Sequence, residues 1–207
     1  MAIAELRQEL IAYGKLAGQK NLTPGISGNM SARCGDKILI TSSGSANGFL
    51  SDDEFSLIDF EGNFVEGNTK PSSEKMLHVK FYQMRPDVNY ILHMHSPYLS
   101  SFAAAGLALD EPVMPENLFY FGAIPLAKYG LPSSKDLVDK TSVYFDKYDA
   151  VLMANHGFIV GAKELKDAYL KLELAESYAQ VIINTKILGG PALLNSEQVK
   201  EIYALRG

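Results

Sequence analysis

Two histidines separated by a single residue, His93 and His95, constrain the fold of this chain more than any other feature of its sequence. The stretch from Tyr90 to His95 is rich in residues that favour β-strands, and in a strand every second side chain points to the same face. The two imidazoles are therefore predicted to lie side by side on one face of a sheet, where they can bind one metal ion. A third imidazole from His156 would complete the three-ligand, open arrangement of catalytic zinc sites.

The cysteine count narrows the kind of metal site that is possible. Cys34 is the only cysteine, so the chain cannot build the closed, thiolate-rich site of a structural zinc. A single cysteine also excludes an intrachain disulfide and is compatible with a reducing compartment. Because an unselected pair of this spacing is more often just two polar residues near a strand end, the metal interpretation depends on the other motifs.

Composition limits the domain count and the classes of partner. The 207 residues are 47% hydrophobic and carry a formal net charge of −5, which predicts one domain over residues 1–207. Without a basic stripe or a long apolar run, neither nucleic acid nor a membrane is expected as a partner. The chain begins without the pattern of a signal peptide, so a cytoplasmic location is expected.

Hydrophobic periodicity predicts alternating helices and strands. Helices are expected over residues 3–18, from Ser72 or Ser73 towards Arg85, from Pro97 to residue 105, over 134–145 and over 163–188. Strands are expected over residues 37–41, 56–60, 63–65, 90–95 and 150–155. These elements predict a largely antiparallel sheet covered by helices, an α/β or α+β sandwich.

A group of hydroxyl and backbone donors is predicted beside the metal site. Glu74 is expected in the first turn of its helix, where the helix dipole favours anions, with Ser72 and Ser73 next to it. Further donors for a phosphate are predicted from two turn-rich loops, at Gly28-Asn29 and Ser43-Gly44. Each feature alone is more common as an ordinary cap or turn. His78, one turn after Glu74, is predicted to pack or to support the site rather than to bind the metal.

In this order the motifs resemble those of the class II aldolase/adducin family. The segments that carry the resemblance are Gly28-Asn29, Thr41-Ser42-Ser43-Gly44, Lys70-Pro71-Ser72-Ser73-Glu74, His93-Met94-His95-Ser96 and Asn155-His156-Gly157. The resemblance covers nearly the whole chain. It implies a three-layer α/β/α sandwich around a central, mostly antiparallel sheet, and a homotetramer with active sites between subunits.

The resemblance also implies a role for each matching residue. His93, His95 and His156 match the ligands of one Zn²⁺ per subunit, and Glu74 matches a catalytic acid/base that also approaches the metal. The matches to the phosphate pocket are Gly28, Asn29, Ser43, Gly44, Ser72 and Ser73. Tyr129 is the candidate for a proton donor from the neighbouring subunit, and Tyr120 competes with it. Tyr203 matches either a tail aromatic that closes over the substrate or a residue of a packed terminal helix.

The activity implied by the resemblance is that of a zinc-dependent class II aldolase. Such an enzyme cleaves a ketose 1-phosphate, here best L-fuculose 1-phosphate, to dihydroxyacetone phosphate and an aldehyde such as L-lactaldehyde, through a metal-stabilised enediolate. Alternatives on the same site are an L-ribulose-5-phosphate 4-epimerase and a methylthioribulose-1-phosphate dehydratase; a non-catalytic module like the adducin head is a third. Epimerases resemble one another in an acidic residue where this chain has Asn117 and Leu118, which favours the aldolase, although Glu116 is adjacent.

Overall fold

A computed structural model describes residues 2–206, with helices on both faces of one sheet. The helices are α1 (Ile3–Gln19), α2 (Lys75–Met84), α3 (Pro97–Ala105), α4 (Pro115–Tyr120), α5 (Lys135–Ser142), α6 (Leu165–Ile187) and α7 (Ser196–Ala204). The strands are β1 (Asn29–Cys34), β2 (Lys37–Thr41), β3 (Phe55–Ile58), β4 (Phe64–Gly67), β5 (Tyr90–Met94), β6 (Leu126–Ala127), β7 (Ala150–Met153) and β8 (Gly157–Ala162). The ends of the predicted domain, Met1 and Gly207, lie outside the described residues. Over residues 2–206, no helix is long and apolar enough to cross a lipid bilayer.

The eight strands form one sheet with β5 near its centre. Their order is β4-β3-β2-β1-β5-β8-β7-β6, and every neighbouring pair is antiparallel except the parallel pair β6 and β7. On one side of β5, Asn29 of β1 pairs with His93, and on the other side Phe158 of β8 pairs with Met94. The predicted, mostly antiparallel sheet is confirmed, and its central strand carries the first of the two paired histidines.

Two apolar clusters pack on opposite faces of this sheet. Leu92 of β5 belongs to a cluster with residues of α1, α3 and α6, whereas the preceding Ile91 belongs to a cluster with residues of α2 and of the helix α5. Consecutive strand residues point to opposite faces, so the two clusters are separate layers. All residues of β5 and β8 are buried because helices cover both faces. The predicted three-layer α/β/α sandwich is confirmed.

Several predicted boundaries near the site are wrong by a few residues. Helix α2 begins at Lys75, so Ser72, Ser73 and Glu74 lie in the turn before it rather than in its first turn. The hydroxyl of Ser72 explains this, because it accepts a hydrogen bond from the Glu74 backbone N–H at 3.2 Å and holds that turn. Strand β5 ends at Met94, so His95 follows the strand instead of ending it.

The segment after His95 is fixed by a buried carboxylate of α6. Glu176, only 8% exposed, accepts hydrogen bonds from the Ser96 hydroxyl at 2.8 Å and from the backbone N–H groups of Tyr98 and Leu99, both at 2.9 Å. A carboxylate in this place satisfies free N–H groups at the start of α3 and complements the helix dipole. Helix α6 thereby determines where the chain leaves His95.

Replacing Glu176 by alanine is expected to lower the free energy of unfolding by about 2–4 kcal/mol, because three donors at the start of α3 lose a buried acceptor. Glu173→Ala, one turn earlier on α6, is the matched control. The Glu173 carboxylate forms an ion pair with Lys20 Nζ at 3.2 Å near the surface, and its loss is expected to cost less than about 1 kcal/mol. Urea denaturation measures both variants, and equal losses would contradict the role of Glu176.

Candidate active site

The sheet brings three of the four histidines of the chain together at the carboxyl end of β5. His93 lies on β5, His95 directly follows it, and His156 lies in the turn that joins β7 to β8. The Nε2 atoms of His93 and His95 are 3.0 Å apart, and the three ring centroids lie 4.8–4.9 Å from one another. The predicted convergence of the three imidazoles is present in the structure.

Glu74 completes the group from the opposite side. Its Oε2 lies 3.0 Å from His93 Nε2, and its Oε1 lies 3.2 Å from His156 Nε2. Burial opposes ionisation of this carboxyl, but the charges of His93 and His156 outweigh burial and hold the pKa of Glu74 below its usual range. The carboxylate is therefore ionised and in contact with two of the imidazoles.

The arrangement of acceptor atoms fits a bound cation. His93 Nδ1 lies 2.9 Å from the backbone oxygen of Phe158 and donates its hydrogen to it, so Nε2 presents a lone pair to the group. Two buried atoms of the group, Glu74 Oε1 and His156 Nδ1, have no hydrogen-bond partner. Lone pairs and a carboxylate that face one another repel unless a positive charge lies between them. Three neutral nitrogens with an open side are the donor set of a catalytic zinc site.

Two of the three imidazoles, those of His95 and His156, are in the neutral state that metal ligands require. Burial and the neighbouring charge of His93 lower the pKa of His95, to about 3, and burial with the same charge lowers that of His156 to about 4. Burial also opposes protonation of His93, but the Glu74 carboxylate outweighs it and raises the pKa of His93. The site thus favours a single positive charge beside Glu74.

Two glycines allow the backbone to approach the histidines closely. Gly28 has φ +78°, and a Cβ there would overlap the backbone oxygen of His93. A Cβ on Gly157 would lie 2.7 Å from the His95 ring and 2.8 Å from the backbone oxygen of Met94. Larger residues at either position would displace β5 or the His95 ring.

A cavity of about 430 Å³ opens beside this group. Glu74, His95 and His156 line it, whereas His93 is fully buried behind them. All six residues predicted for the phosphate pocket line the same cavity: Gly28, Asn29, Ser43, Gly44, Ser72 and Ser73. Their hydroxyl, amide and backbone N–H groups are the donors that a phosphate requires. The structure thus places the predicted anion pocket next to the predicted metal site.

Asn29 has a second set of contacts that the sequence does not reveal. Its Nδ2 donates to Glu74 Oε2 at 3.1 Å, and its Oδ1 lies 2.5 Å from His78 Nε2. The amide nitrogen and the amide oxygen of Asn29 therefore both have hydrogen-bond partners within the protein. His78 is fully buried with both ring nitrogens hydrogen-bonded, as expected for a supporting residue rather than a ligand.

Part of the cavity wall comes from a segment that the sequence analysis did not connect with the site. Pro132 and Ser133 line the cavity, and the Ser133 hydroxyl donates to Ser73 Oγ at 2.8 Å. Ser133 has φ +64°, a conformation that costs free energy in a residue with a Cβ. From the sequence, the segment of Pro132 and Ser133 is predicted only to cap α5, and no pattern links it to Ser73.

The candidate tyrosines lie away from this cavity in their own chain. Tyr129 and Tyr120 are 50% and 53% exposed, and neither lines the cavity. Tyr203 lies on α7, with its hydroxyl near Gly122. A role for any of them at a neighbouring subunit stays a prediction.

The comparison with protein families shows to which family this chain belongs. A family model described as the class II aldolase and adducin N-terminal domain matches residues 8–183. The chain belongs to the class II aldolase and adducin family. Class II aldolases are metal-dependent lyases that act on sugar phosphates, and this chain is an enzyme of that kind.

Relatives with different substrate names are similar to this chain in sequence, and one of them also in its solved fold. A solved L-fuculose 1-phosphate aldolase structure has a TM-score of 0.91 at 30% identity and covers 99% of this chain and 97% of its own. The 5-deoxy-D-ribulose 1-phosphate aldolase of Bacillus thuringiensis serovar kurstaki is 33% identical over 205 residues, 98% of this chain and 95% of that protein. The 3-oxo-tetronate 4-phosphate decarboxylase of Haemophilus influenzae is 32% identical over 181 residues, 84% of this chain and 85% of that protein. The family is therefore shared, but these relatives differ in substrate and reaction.

Alanine at His93, His95 or His156 is expected to reduce bound metal from about one divalent ion per chain to near zero, because two imidazoles bind a divalent ion far more weakly than three. Elemental analysis after dialysis measures the metal content. His78→Gln is the control and is expected to retain metal, since the His78 nitrogens face Ser31 and Asn29. Full metal content in His156→Ala would contradict the three-histidine site.

Proposed function

We propose that the protein is a zinc-dependent aldolase that cleaves a ketose 1-phosphate to dihydroxyacetone phosphate and an aldehyde. The observation that carries the proposal is the position of Glu74, whose two oxygens lie 3.0 and 3.2 Å from ligand nitrogens at the edge of the anion cavity. Zinc is favoured because three imidazoles with an open side surround the site. Cys34 lies at the far end of β1, about five residues or roughly 17 Å along the strand from Asn29, so no thiolate reaches the group.

The substrate binds with its two ends in different surroundings. The phosphate lies among the donors of Gly28, Asn29, Ser43, Gly44, Ser72 and Ser73. His93, His95 and His156 would hold a cation, which would supply Lewis-acid stabilisation of negative charge on the substrate. Since His95 and His156 line the same cavity as the phosphate donors, one substrate molecule can contact both groups.

The protein side chains move the protons of the cleavage reaction. When the bond between C3 and C4 breaks, its electron pair stays on the C3 fragment and the C4 hydroxyl loses its proton as the aldehyde forms. Tyr129 from a neighbouring copy in a homotetramer, acting as a phenolate, takes up that proton. Glu74, after gaining a proton from solvent, delivers it to C3 to give dihydroxyacetone phosphate, and Tyr129 then releases its proton to solvent. The exposure of Tyr129 and its distance from the cavity of its own chain support a role in a neighbouring site.

We favour L-fuculose 1-phosphate as the substrate, with 5-deoxy-D-ribulose 1-phosphate as the nearest competitor. Both molecules are ketose 1-phosphates that end in a methyl group. Ile26, 71% exposed, and Pro132 line the cavity and offer apolar contact to such a group. The names of the aldolase relatives support both substrates. A role in fucose metabolism and a cytoplasmic location belong to the same proposal.

A second candidate reaction is decarboxylation of 3-oxo-tetronate 4-phosphate, which the similarity to the H. influenzae decarboxylase favours. That substrate also carries a phosphate and develops negative charge beside a carbonyl group. The metal centre and the anion pocket serve either reaction equally. Only the bond that breaks differs, so the products distinguish the two.

Zinc-loaded protein is expected to release dihydroxyacetone phosphate from L-fuculose 1-phosphate, and a chelator is expected to stop the release. The same preparation is tested with 5-deoxy-D-ribulose 1-phosphate, L-ribulose 5-phosphate and 3-oxo-tetronate 4-phosphate. A higher kcat/KM for one ketose 1-phosphate identifies the preferred substrate. Carbon dioxide release from the tetronate, or epimerisation of ribulose 5-phosphate without any cleavage, would contradict the aldolase proposal.

Glu74→Gln is expected to lower kcat by about 10³-fold while bound zinc stays near its normal content, because the amide cannot transfer the proton but three imidazoles remain. Glu61→Gln, in the exposed turn between β3 and β4, is the control and is expected to have no effect. If the Glu74 variant loses zinc in proportion to its activity, Glu74 is mainly a ligand.

A further inference from the structure

Five buried or half-buried side chains form a continuous line of hydrogen bonds that ends on the candidate acid/base. Ser31 Oγ lies 2.8 Å from the Tyr82 hydroxyl and 2.7 Å from His78 Nδ1. His78 Nε2 lies 2.5 Å from Asn29 Oδ1, and Asn29 Nδ2 lies 3.1 Å from Glu74 Oε2. Ser31, His78 and Tyr82 are at most 1% exposed, so water does not compete for these contacts.

The direction of each hydrogen bond follows from the end at Glu74. The NH₂ group of Asn29 faces Glu74 Oε2 and its oxygen faces His78 Nε2, so Asn29 donates to Glu74 and accepts from His78. His78 must then donate from Nε2. A neutral imidazole has one N–H, so His78 Nδ1 accepts from the Ser31 hydroxyl, and Ser31 Oγ accepts from Tyr82. All four bonds therefore point the same way, from Tyr82 to Glu74.

We propose that His78 is a positioning residue that fixes the carboxylate of Glu74 for proton transfer by acting through Asn29. The inference rests on the proposed function of Glu74 as the acid/base. It adds that a hydrogen bond holds one oxygen of the Glu74 carboxylate and that the other oxygen is free to react. Oε2 is held by the Asn29 amide, whereas the buried Oε1 has no hydrogen bond although His156 Nε2 lies 3.2 Å away. Oε1 is therefore the oxygen that carries the proton to C3 of the substrate.

The line of hydrogen bonds also explains why Asn29 cannot reverse its amide. If Asn29 Oδ1 faced Glu74 Oε2, two acceptors would meet at 3.1 Å, and its NH₂ would face the N–H of His78. In the observed arrangement the Ser31 hydroxyl supplies the donor that His78 Nδ1 needs when the proton of His78 is on Nε2. A residue that only filled space at position 78 would leave Asn29 free to turn.

The first test measures which ring nitrogen of His78 carries the proton. In zinc-loaded protein labelled with ¹⁵N-histidine, the ring of His78 is expected to carry its proton on Nε2, with Nδ1 of the unprotonated type. Only four histidines contribute signals, and comparison with His78→Gln assigns those of His78. A proton on Nδ1 would overturn the proposal, because His78 could then no longer donate to Asn29.

The second test measures proton transfer by Glu74 without the aldehyde. Zinc-loaded wild-type protein is expected to exchange a C3 hydrogen of dihydroxyacetone phosphate with D₂O. His78→Leu is expected to slow this exchange at least tenfold with bound zinc unchanged, as for other residues that orient a metal site from behind. His78→Gln is expected to recover most of the rate, since its side-chain NH₂ can donate to Asn29 in place of Nε2.

Two hydroxyl deletions complete the second test. Tyr82→Phe removes the first donor of the line and is expected to slow exchange by a smaller factor than His78→Leu. Tyr144→Phe is the matched control and is expected to leave the rate unchanged, because the Tyr144 hydroxyl donates to the backbone oxygen of Leu126 at 3.3 Å, outside the line of hydrogen bonds. If His78→Leu does not fold, the Tyr82 variant and the NMR spectrum of the wild type still decide the proposal.

The outcomes separate this inference from the proposed function. Absence of exchange in zinc-loaded wild-type protein would contradict the role of Glu74 itself. Exchange in the wild type that is lost in Glu74→Gln but unchanged in both His78→Leu and Tyr82→Phe would leave the aldolase proposal intact and overturn the positioning role.

Discussion

The structure depends on one buried contact, the hydrogen bond at 2.9 Å between His93 Nδ1 and the backbone oxygen of Phe158. It links the central strand β5 to β8 and determines which nitrogen of His93 faces Glu74. His95 and His156 then approach from the end of β5 and from the turn before β8, so all three imidazoles are positioned by one strand pair. A metal site built on central strands is more rigid than one built on surface loops.

The same packing serves both stability and the site. Glu176 satisfies the start of α3 directly after His95, and Gly28 and Gly157 allow the neighbouring backbone to lie against the histidines. Behind Glu74, a line of buried hydrogen bonds replaces the apolar contacts that a core would otherwise have. Such a network is costly unless every member is satisfied, and here each nitrogen and hydroxyl of Ser31, His78 and Tyr82 has a partner.

Much of the fold and the centre of the site could be predicted from the sequence. Helices α1, α5 and α6 lie close to their predicted ranges because one face of each is apolar, and the histidine pair marks β5. Strand β1 is not predicted because its polar residues Asn29 and Ser31 belong to the buried network. Strand β8 is not predicted because both of its faces are covered, so its sequence does not alternate between apolar and polar residues. The contact of Ser133 with Ser73 joins residues sixty positions apart, which no local pattern encodes.

X-ray absorption at the zinc edge of zinc-loaded protein tests the central claim most directly, because it reports the atoms around the metal. Three imidazole nitrogens at about 2.0–2.1 Å, with oxygen as the remaining scatterer and no sulfur, are the predicted result. A spectrum with sulfur, or with fewer than three imidazoles, would contradict a site formed by His93, His95 and His156. The roles proposed for Glu74 and for the residues hydrogen-bonded to it would then also be contradicted, because both roles assume this metal site.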